Sequence, residues 1–470
     1  MVFSSSFFLF LFLPVFLATY YLTPFRHRSV VILLGSYSFY AWWRIDFLLL
    51  FILVTVWNYL ISKQIVATGA RVAEKRWLTL GIAGNLCTLA YFKYANFGVD
   101  SINALLQQAG MSPLSLGRVI LPIGISFYIF QAISYLVDVY RKDTPPTSRF
   151  IDFAAFIALF PQLIAGPVLR YKDLADQFTS REHSYSKFAE GASRFMQGFM
   201  KKVFIADTLA PIADAVFNSS APSMSDAWLG TLVYTLQLYF DFSGYSDMAI
   251  GLGLMMGFRF MENFNQPYLS QSITEFWRRW HISLSAWLKD YLYIPLGGNR
   301  KGRLTTYRNL VLTMFLGGLW HGANWTFVVW GLWHGVWMAI ERAAGIKSDG
   351  KFRFLNWLFC MVLVLLGWVM FRAESMSQAL LMYKAMFGAD TIRLSIDIAL
   401  GINSLQKITL VVAILIVVFQ GMRTRRFSFG RILLYRHSAT FLLAAQFPFF
   451  LLSISKLIAS NYSPFLYFQF

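Results

Sequence analysis

Cysteine is nearly absent from this chain of 470 residues. The two that occur, Cys87 and Cys360, lie in separate apolar stretches, and neither belongs to a CxxC pair or a Cys/His cluster. Disulfide scaffolds and zinc modules need several such residues at short spacing. The sequence therefore predicts neither a disulfide framework nor a metal cofactor.

The signatures of several enzyme classes are also missing. The sequence has no GxSxG elbow, no HExxH, no Walker A loop and no GxGxxG after a strand, so serine-based hydrolysis and ATP-driven transport are unsupported. A histidine without a protein nucleophile suits general-base catalysis instead. In that chemistry a substrate hydroxyl attacks an activated acyl donor.

Charged residues are scarce as well, at 14% of the chain against 57% hydrophobic and 18% aromatic residues. A soluble protein needs more polar surface, so this composition predicts a membrane protein with lipids as partners. The net charge is +18, from 41 Lys and Arg against 23 Asp and Glu. Basic cytoplasmic loops account for this excess through the positive-inside rule, and no nucleic-acid partner is predicted.

Apolar stretches recur along the whole chain and predict an all-α polytopic membrane protein with one domain over residues 1–470. A span needs about 20 apolar residues, which leaves about 9–12 true spans plus re-entrant segments. The pieces near 119–140 and 151–168 contain Pro and Gly, as broken helices that line a cavity do. The candidate spans lie near 5–22, 29–44, 46–63, 76–92, 119–140, 151–168, 196–217, 228–258, 308–322, 324–345, 354–371, 404–421 and 439–458.

The richest basic stretch, residues 278–308, contains seven Lys or Arg residues and Asp290 as its one acid. Trp and Tyr are interspersed, which predicts amphipathic helix and loop at the cytoplasmic interface. Basic surfaces attract anionic soluble ligands. Arg278 and Arg279 are therefore candidate donor-binding residues.

His321 is the first candidate for catalysis. It follows the apolar run VLTMFLGGLW and precedes Gly322, and an ionisable side chain at membrane depth is costly enough to suggest a function. Histidine also titrates in the range that suits proton transfer near neutral pH. A structural histidine bonded between helices is the alternative, and the residues alone leave both open. Asn324, or the backbone N–H groups near Gly317–Gly318, are candidates for stabilising an oxyanion.

Two further histidines lie near His321 in sequence. His334 repeats the WHG tripeptide thirteen residues on, and only a turn near 322–324 would bring the two together. A packing or interfacial role is favoured for His334 alone. His281, beside Arg278 and Arg279, is either a solvated residue or a polar group at the donor entrance. The other histidines, His27, His183 and His437, are predicted to lie on the surface.

Two carboxylates lie within an apolar helix, in YFDFSGYSDMAIG at 239–251. Asp241 and Asp247 are costly at membrane depth unless they are paired. We expect each to meet a basic partner from elsewhere in the chain, Arg or His being the first candidates, with structural pairing favoured over direct catalysis.

Taken together, these motifs resemble the membrane-bound O-acyltransferase family, and within it the alginate O-acetyltransferase branch. The resemblance extends nearly from end to end, and the combination is far more specific than a single WHG. Its segments are MVFSSSFFLFLFLP at the start, FKYANFG at 92–98, LPIGISFYIF at 121–130, FPQLIAGPVLR at 160–170, YFDFSGYSDMAIGLGLMMGF at 239–258, FWRRWHISLS at 276–285, LGGLWHGANWT at 316–326 and SPFLYFQF at the end.

The resemblance implies a bundle of transmembrane and re-entrant helices around a central tunnel, in the bacterial inner membrane. It implies that His321 is catalytic and that His281 has a supporting role. Acetyl-CoA is the implied cytoplasmic donor, and the implied acceptor is a periplasmic acetyltransferase partner of a polysaccharide secretion complex.

Three alternatives stay open from the sequence: acetylation of bacterial cellulose, a transporter and a scaffold. Cellulose acetylation proteins carry similar motifs, and the D-alanyl transfer proteins of teichoic acid modification form a more distant branch. A proton-coupled acyl or lipid transporter would also use intramembrane acids and broken helices, although no pair of corresponding interrupted helices is visible. A non-catalytic scaffold of the secretion complex is the third reading.

Overall fold

The structure is a computed structural model of the chain that describes residues 1–164, 166–346, 351–388, 392–424 and 434–460. The side chains of residues 421–445 and 460 lie outside this description, and so do His437 and the final SPFLYFQF segment. All regular structure within the described ranges is helical, which confirms the predicted all-α class.

The α-helices are, in chain order, Leu13–Leu22 (α1), Arg28–Ala41 (α2), Asp46–Ala67 (α3), Arg71–Gln108 (α4), Ile125–Arg141 (α5), Phe150–Ala158 (α6), Phe160–Leu163 (α7), Tyr171–Thr179 (α8), Tyr185–Phe199 (α9), Asp207–Phe217 (α10), Met224–Met255 (α11), Ile273–Arg279 (α12), Ile282–Leu288 (α13), Arg303–His321 (α14), Trp325–Ala343 (α15), Phe354–Arg372 (α16), Met376–Phe387 (α17), Ile396–Gly401 (α18), Ser404–Thr424 (α19) and Leu434–Ser460 (α20). Short π or 3-10 segments occur at Phe8–Phe12, Phe25–His27, Met200–Ala206, Pro267–Leu269 and Lys289–Tyr293.

The helices form two compact units. The first comprises residues 1–191 and 249–261, and the second comprises residues 192–248 and 262–470. The second unit contains all the residues proposed from the sequence for catalysis and donor binding. The single membrane domain over residues 1–470 stays a prediction.

Two of the described helices, α3 and α16, are both long and apolar enough to cross a membrane. Shorter apolar helical stretches cover Phe8–Leu22, Ser404–Gln420 and Gln446–Ala459. The predicted count of about 9–12 spans, which follows from a length rule alone, stays a prediction.

The helix breaks predicted in the first unit are confirmed. Within 151–168, α6 ends at Ala158 and a separate turn of helix, α7, begins at Phe160 with Pro161 in its first turn. Within 119–140, helix α5 begins only at Ile125, after Gly124 with a φ of 76°. A left-handed φ is natural for glycine, and such a residue interrupts a helix.

Close packing of α14 against α15 organises the second unit around the predicted catalytic segment. The two helices form a hairpin because Gly322 leaves the helical conformation and Asn324 caps the next helix, its side chain accepting from Thr326 N–H at 3.1 Å. A Cβ on Gly318 would lie 3.0 Å from Cα of Gly331 and would also collide with the Phe327 carbonyl. Glycine at both positions therefore permits backbone contact between the helices.

Helix α12 is held at its N-terminus by two acceptors. Ser272 Oγ accepts from Glu275 N–H at 3.0 Å. The carboxylate of Glu341, near the end of α15, accepts from Ile273 N–H at 2.5 Å and from Thr274 N–H at 2.9 Å. Such contacts satisfy the free N–H groups at a helix start. They tie α12, which carries Arg278 and Arg279, to the hairpin.

Candidate active site

His321 is the last residue of α14, and its side chain is buried, with the residue 5% exposed. Its imidazole lies among aromatic rings, with centroid distances of 4.9 Å to Trp320, 5.0 Å to Trp330 and 5.2 Å to Phe371. These rings exclude bulk water from the imidazole. A general base in such a dry site acts on a proton without competition from solvent.

His281 lies beside His321, although forty residues separate them in sequence. The two ring centroids are 6.4 Å apart. His281 is fully buried and occupies the N-cap position of α13 with a φ of 44°. A left-handed φ is uncommon for a residue with a side chain, and such positions cluster at functional sites.

One amide oxygen, Asn263 Oδ1, determines how His281 is oriented. It accepts from the backbone N–H of Ser283 at 3.2 Å and from Ser283 Oγ at 2.8 Å, which identifies it as the oxygen. His281 Nδ1 lies 3.1 Å from it and must therefore donate. Nε2 is then an acceptor, and no described residue donates a hydrogen bond to it.

His334 is fully buried in α15, and its imidazole packs against the Trp330 ring, as that of His321 does. The Trp330 centroid is 5.0 Å from each of the two imidazoles. Trp277 packs edge-on against His334 at 5.4 Å. Neither ring nitrogen of His334 has a hydrogen-bond partner among the described residues. The predicted turn at 322–324 is present, and the two histidines share Trp330 as a neighbour.

Two pockets open at different levels of the α14–α15 hairpin. One, of about 410 Å³, is lined by the first three turns of α14 up to Met314 and by three exposed basic residues, Arg278, Lys289 and Arg342. No ion pair engages these three within the described part of the chain. The other pocket, of about 690 Å³, adjoins Gly322 at the turn after His321. Its charged lining residues are Asp214, Arg372 and Glu374.

The other two predicted site residues have partners of their own. Arg279 does not line the basic pocket, and its guanidinium pairs at 2.9 Å with Glu275, the one acidic residue that does. Asn324 lines the second pocket, but its amide nitrogen donates to the Glu374 carbonyl at 2.9 Å while its oxygen caps α15. Both side chains therefore contribute to the architecture around the histidines.

The buried carboxylates of α11 are paired, as expected. Asp241 lies 2.7 Å from Lys202 Nζ, and Asp247 lies 2.6 Å from both Arg194 and Lys201. Lys202 also lies 2.6 Å from Asp207. Lysine thus forms three of these four ion pairs, whereas arginine and histidine are the first partners expected from the sequence. None of these pairs includes a histidine of the site.

Sequence reasoning missed Asn263, Lys289 and Arg342 as individual residues. Lys289 belongs to the basic stretch that was recognised as a whole. Asn263 lies in FRFMENFNQP, which contains no motif that signals a histidine partner. No group of three or more His, Cys, Asp or Glu side chains is placed to hold a metal ion in the described ranges.

Comparison with known families identifies proteins to which this chain is similar. A profile of the membrane-bound O-acyltransferase family matches residues 141–371, a range that includes all three buried histidines. A probable alginate O-acetylase of Azotobacter vinelandii is 57% identical, with both chains covered completely.

Relatives with other names are more distant. A peptidoglycan O-acetyltransferase of Helicobacter pylori is 39% identical over 84% of this chain and 81% of its own. A teichoic acid D-alanyltransferase of Bacillus subtilis is 29% identical over 56% of this chain and 72% of its own. All three relatives are named for acyl transfer, with alginate, peptidoglycan and teichoic acid as the respective polymers.

Proposed function

The chain belongs to the membrane-bound O-acyltransferase family, and from that membership we propose a specific reaction. In this reaction, the protein takes an acetyl group from acetyl-CoA on the cytoplasmic side and passes that group across the inner membrane to an extracytoplasmic acceptor. That the chain is an acyltransferase follows from the family. The donor, the direction of transfer and the role of His321 are the proposal.

The basic pocket is the proposed donor site. CoA carries several negative charges, and Arg278, Lys289 and Arg342 offer three positive ones around a cavity of about 410 Å³. The pocket reaches Met314, seven residues before His321, and seven helical residues rise about 10 Å. An acyl group on an extended arm therefore approaches His321 along α14 while the charged portion of the donor stays among the basic residues.

The second pocket is the proposed acceptor entrance. It adjoins the turn after His321 and contains Asp214, Arg372 and Glu374, which suit a polar, hydroxyl-bearing acceptor. We propose that a periplasmic acetyltransferase partner of the secretion complex receives the acetyl group there. Alginate is the proposed final polymer because the alginate O-acetylase relatives cover the whole chain. Bacterial cellulose is the alternative.

In the proposed step, His321 acts as general base. The acceptor hydroxyl gives its proton to the imidazole while its oxygen attacks the thioester carbonyl carbon. The tetrahedral adduct collapses with cleavage of the C–S bond. The CoA thiolate then takes the proton from the imidazolium, so atoms and charges balance and no protein nucleophile is required.

The observation that carries this proposal is that His321 is buried on α14 after Met314, which lines the basic pocket, and directly before Gly322, which lines the polar one. The test uses purified protein in proteoliposomes with radiolabelled acetyl-CoA and an acceptor polysaccharide or partner protein. We expect His321→Gln to lose at least about a hundredfold in rate, the low end of general-base contributions.

His27→Gln is the matched control, because His27 is exposed at the surface of the first unit. This variant also loses an imidazole, and it should transfer acetyl at the full rate. A correctly folded His321→Gln protein that transfers acetyl at the wild-type rate would refute the catalytic role. Acetyl-CoA that keeps its thioester while no acetyl group appears on the acceptor would instead support a carrier.

A further inference from the structure

A second cluster of basic side chains lies in the first unit, where the chain leaves α1 and again where it approaches α9. Arg28 and Arg181 converge on the Tyr20 ring, with guanidinium carbons 4.8 Å and 5.7 Å from its centroid. Arg181 Nε donates to Tyr20 Oη at 2.9 Å, and Arg28 donates to His183 Nε2 at 2.9 Å. None of these residues belongs to the proposed acyl-transfer site.

Negative charge acts on this cluster only beyond ion-pair distance in the described residues, from Asp152 on Arg181 and from Glu182 and Glu190 on Lys187. Lys187 is 9% exposed, and its Nζ donates to the backbone carbonyls of Gly257 at 2.5 Å and Glu182 at 3.4 Å. Within the described residues, no carboxylate lies at ion-pair distance from Arg28, Arg181 or Lys187. Three cations whose direct contacts are with neutral groups are costly in a partly buried position, because a desolvated charge is stabilised best by an opposite charge in contact with it.

One donor in the cluster is buried and unused. Arg181 Nη2 is shielded from solvent and has no acceptor among the described residues. The imidazole of His183 is neutral here. Its Nε2 accepts from Arg28, and burial together with the nearby Arg28 and Arg181 lowers its pKa to about 4. An anion with several acceptor oxygens would satisfy the free donor and neutralise the cluster.

The rim of the cluster suits the surface of a bilayer. Leu22, at the end of apolar α1, is 85% exposed, and Phe25 is 38% exposed, directly beside the arginines. Exposed apolar and aromatic side chains next to Arg are typical of the lipid–water interface. The anion that such a position meets first is a lipid phosphate.

We infer that Arg28, Arg181 and Lys187 form a binding site for the phosphate group of an anionic phospholipid. The lipid's phosphate oxygens accept from Arg28 and from Nη2 of Arg181, and its acyl chains lie against Leu22 and Phe25. Basic pockets between membrane helices bind lipid headgroups through the same chemistry. A soluble phosphate shares this chemistry, and the experiment separates the two sources.

The test places the full chain in nanodiscs of phosphatidylcholine, with or without phosphatidylglycerol. The measurements are phosphatidylglycerol retained after detergent extraction, by native mass spectrometry, and Tm. Wild-type protein should retain phosphatidylglycerol and gain Tm from it. Arg28→Gln and Arg181→Gln should each bind it about fivefold more weakly, since one basic residue near an anionic surface contributes about 1 kcal/mol. Arg28→Lys keeps the charge and should retain most of the binding.

Arg26→Gln is the matched control. Arg26 is exposed in the same turn, carries the same charge and donates to His27 rather than to the cluster. Equal loss in Arg26→Gln and Arg28→Gln would show general surface attraction and overturn the site. Inorganic phosphate that raises Tm in pure phosphatidylcholine as much as phosphatidylglycerol does would overturn the lipid assignment.

Discussion

The orientation of His281 depends on a neighbour that has no part in the chemistry. Asn263 Oδ1 receives the Nδ1 proton and leaves Nε2 as a lone-pair acceptor in a buried position close to His321. Without that oxygen the imidazole would be free to change its tautomer or to rotate. Asn263 is thus a positioning residue for the proposed reaction.

We predict that Asn263→Ala lowers kcat of acetyl transfer by about tenfold or more while KM for the donor changes little. A lost hydrogen bond to a buried group costs about 1–3 kcal/mol, and 1.4 kcal/mol corresponds to tenfold. Asn265→Ala is the control, because Asn265 is exposed and its backbone alone contacts Arg279. Steady-state kinetics with both variants checks the prediction.

Asn263→Asp sharpens the same test. It keeps the acceptor but adds a negative charge beside the imidazole, which favours the protonated form of His281 and raises its pKa. If the neutral imidazole is needed, the acid limb of the pH–rate profile moves to higher pH. An Asn263→Ala enzyme with the wild-type kcat would show that the orientation of His281 is irrelevant.

Single residues were partly predictable from the sequence. His321 is a candidate from the sequence because an ionisable group in an apolar run is costly, and its catalytic role stays a prediction. The pairing of the α11 carboxylates, expected for the same energetic reason, is confirmed. The proximity of His281 to His321 was not predictable. This proximity depends on a reversal of the chain between α12 and α13 that Asn263 stabilises. No local sequence pattern predicts that reversal.

At the scale of helices, the α14–α15 hairpin positions the site through glycine. A Cβ on Gly318 would meet the backbone of the facing helix, with Gly331 Cα at 3.0 Å. A Cβ on Gly317 would meet only Leu288 Cδ1, a flexible side-chain end, at 3.3 Å. Alanine at Gly317 therefore tests helix propensity, whereas alanine at Gly318 also tests the packing between the two helices.

We predict that Gly318→Ala destabilises the protein by about 1–3 kcal/mol, the usual cost of overpacking, and displaces His321 enough to reduce transfer. Gly317→Ala should be neutral or stabilising by up to about 1 kcal/mol, because alanine is the better helix former. Thermal unfolding in detergent and the acetyl-transfer rate are the measurements. Equal Tm values for the two variants would refute close packing at Gly318.

The apolar pattern predicts the ends of a helix well where polar residues flank that helix in the sequence. Predicted spans 354–371 and 324–345 correspond to Phe354–Arg372 and Trp325–Ala343. The span predicted at 76–92 lies within α4, but that helix begins at Arg71 and continues to Gln108. Residues beyond a span stay helical without being apolar, so hydropathy alone does not mark where α4 ends.

At the scale of the whole molecule, the proposed reaction requires the two pockets to face opposite sides of the membrane. Helix α14 has 19 residues, which gives a length of about 28 Å, close to the hydrocarbon thickness of about 30 Å. The basic pocket lies along its first part and the polar pocket adjoins its end. The proposed donor and acceptor entrances thus lie at successive levels of one helix, and the crossing of the membrane by α14 is part of the proposal.

We predict that residues at the two ends of α14 react with a membrane-impermeant maleimide from opposite sides. The background lacks native thiols through Cys87→Ser and Cys360→Ala. Arg300→Cys precedes the start of α14, and Ser375→Cys follows Glu374, whose carbonyl binds Asn324 at the far end. Both residues are exposed.

In intact spheroplasts, Ser375→Cys should be labelled and Arg300→Cys should be protected until the membrane is permeabilised. This result follows because the basic residues around Arg300 are retained in the cytoplasm by the positive-inside rule. The catalytic activity of each variant confirms that the fold is intact. If both thiols react equally before permeabilisation, α14 does not separate two compartments, and the acetyl group is transferred on one side of the membrane.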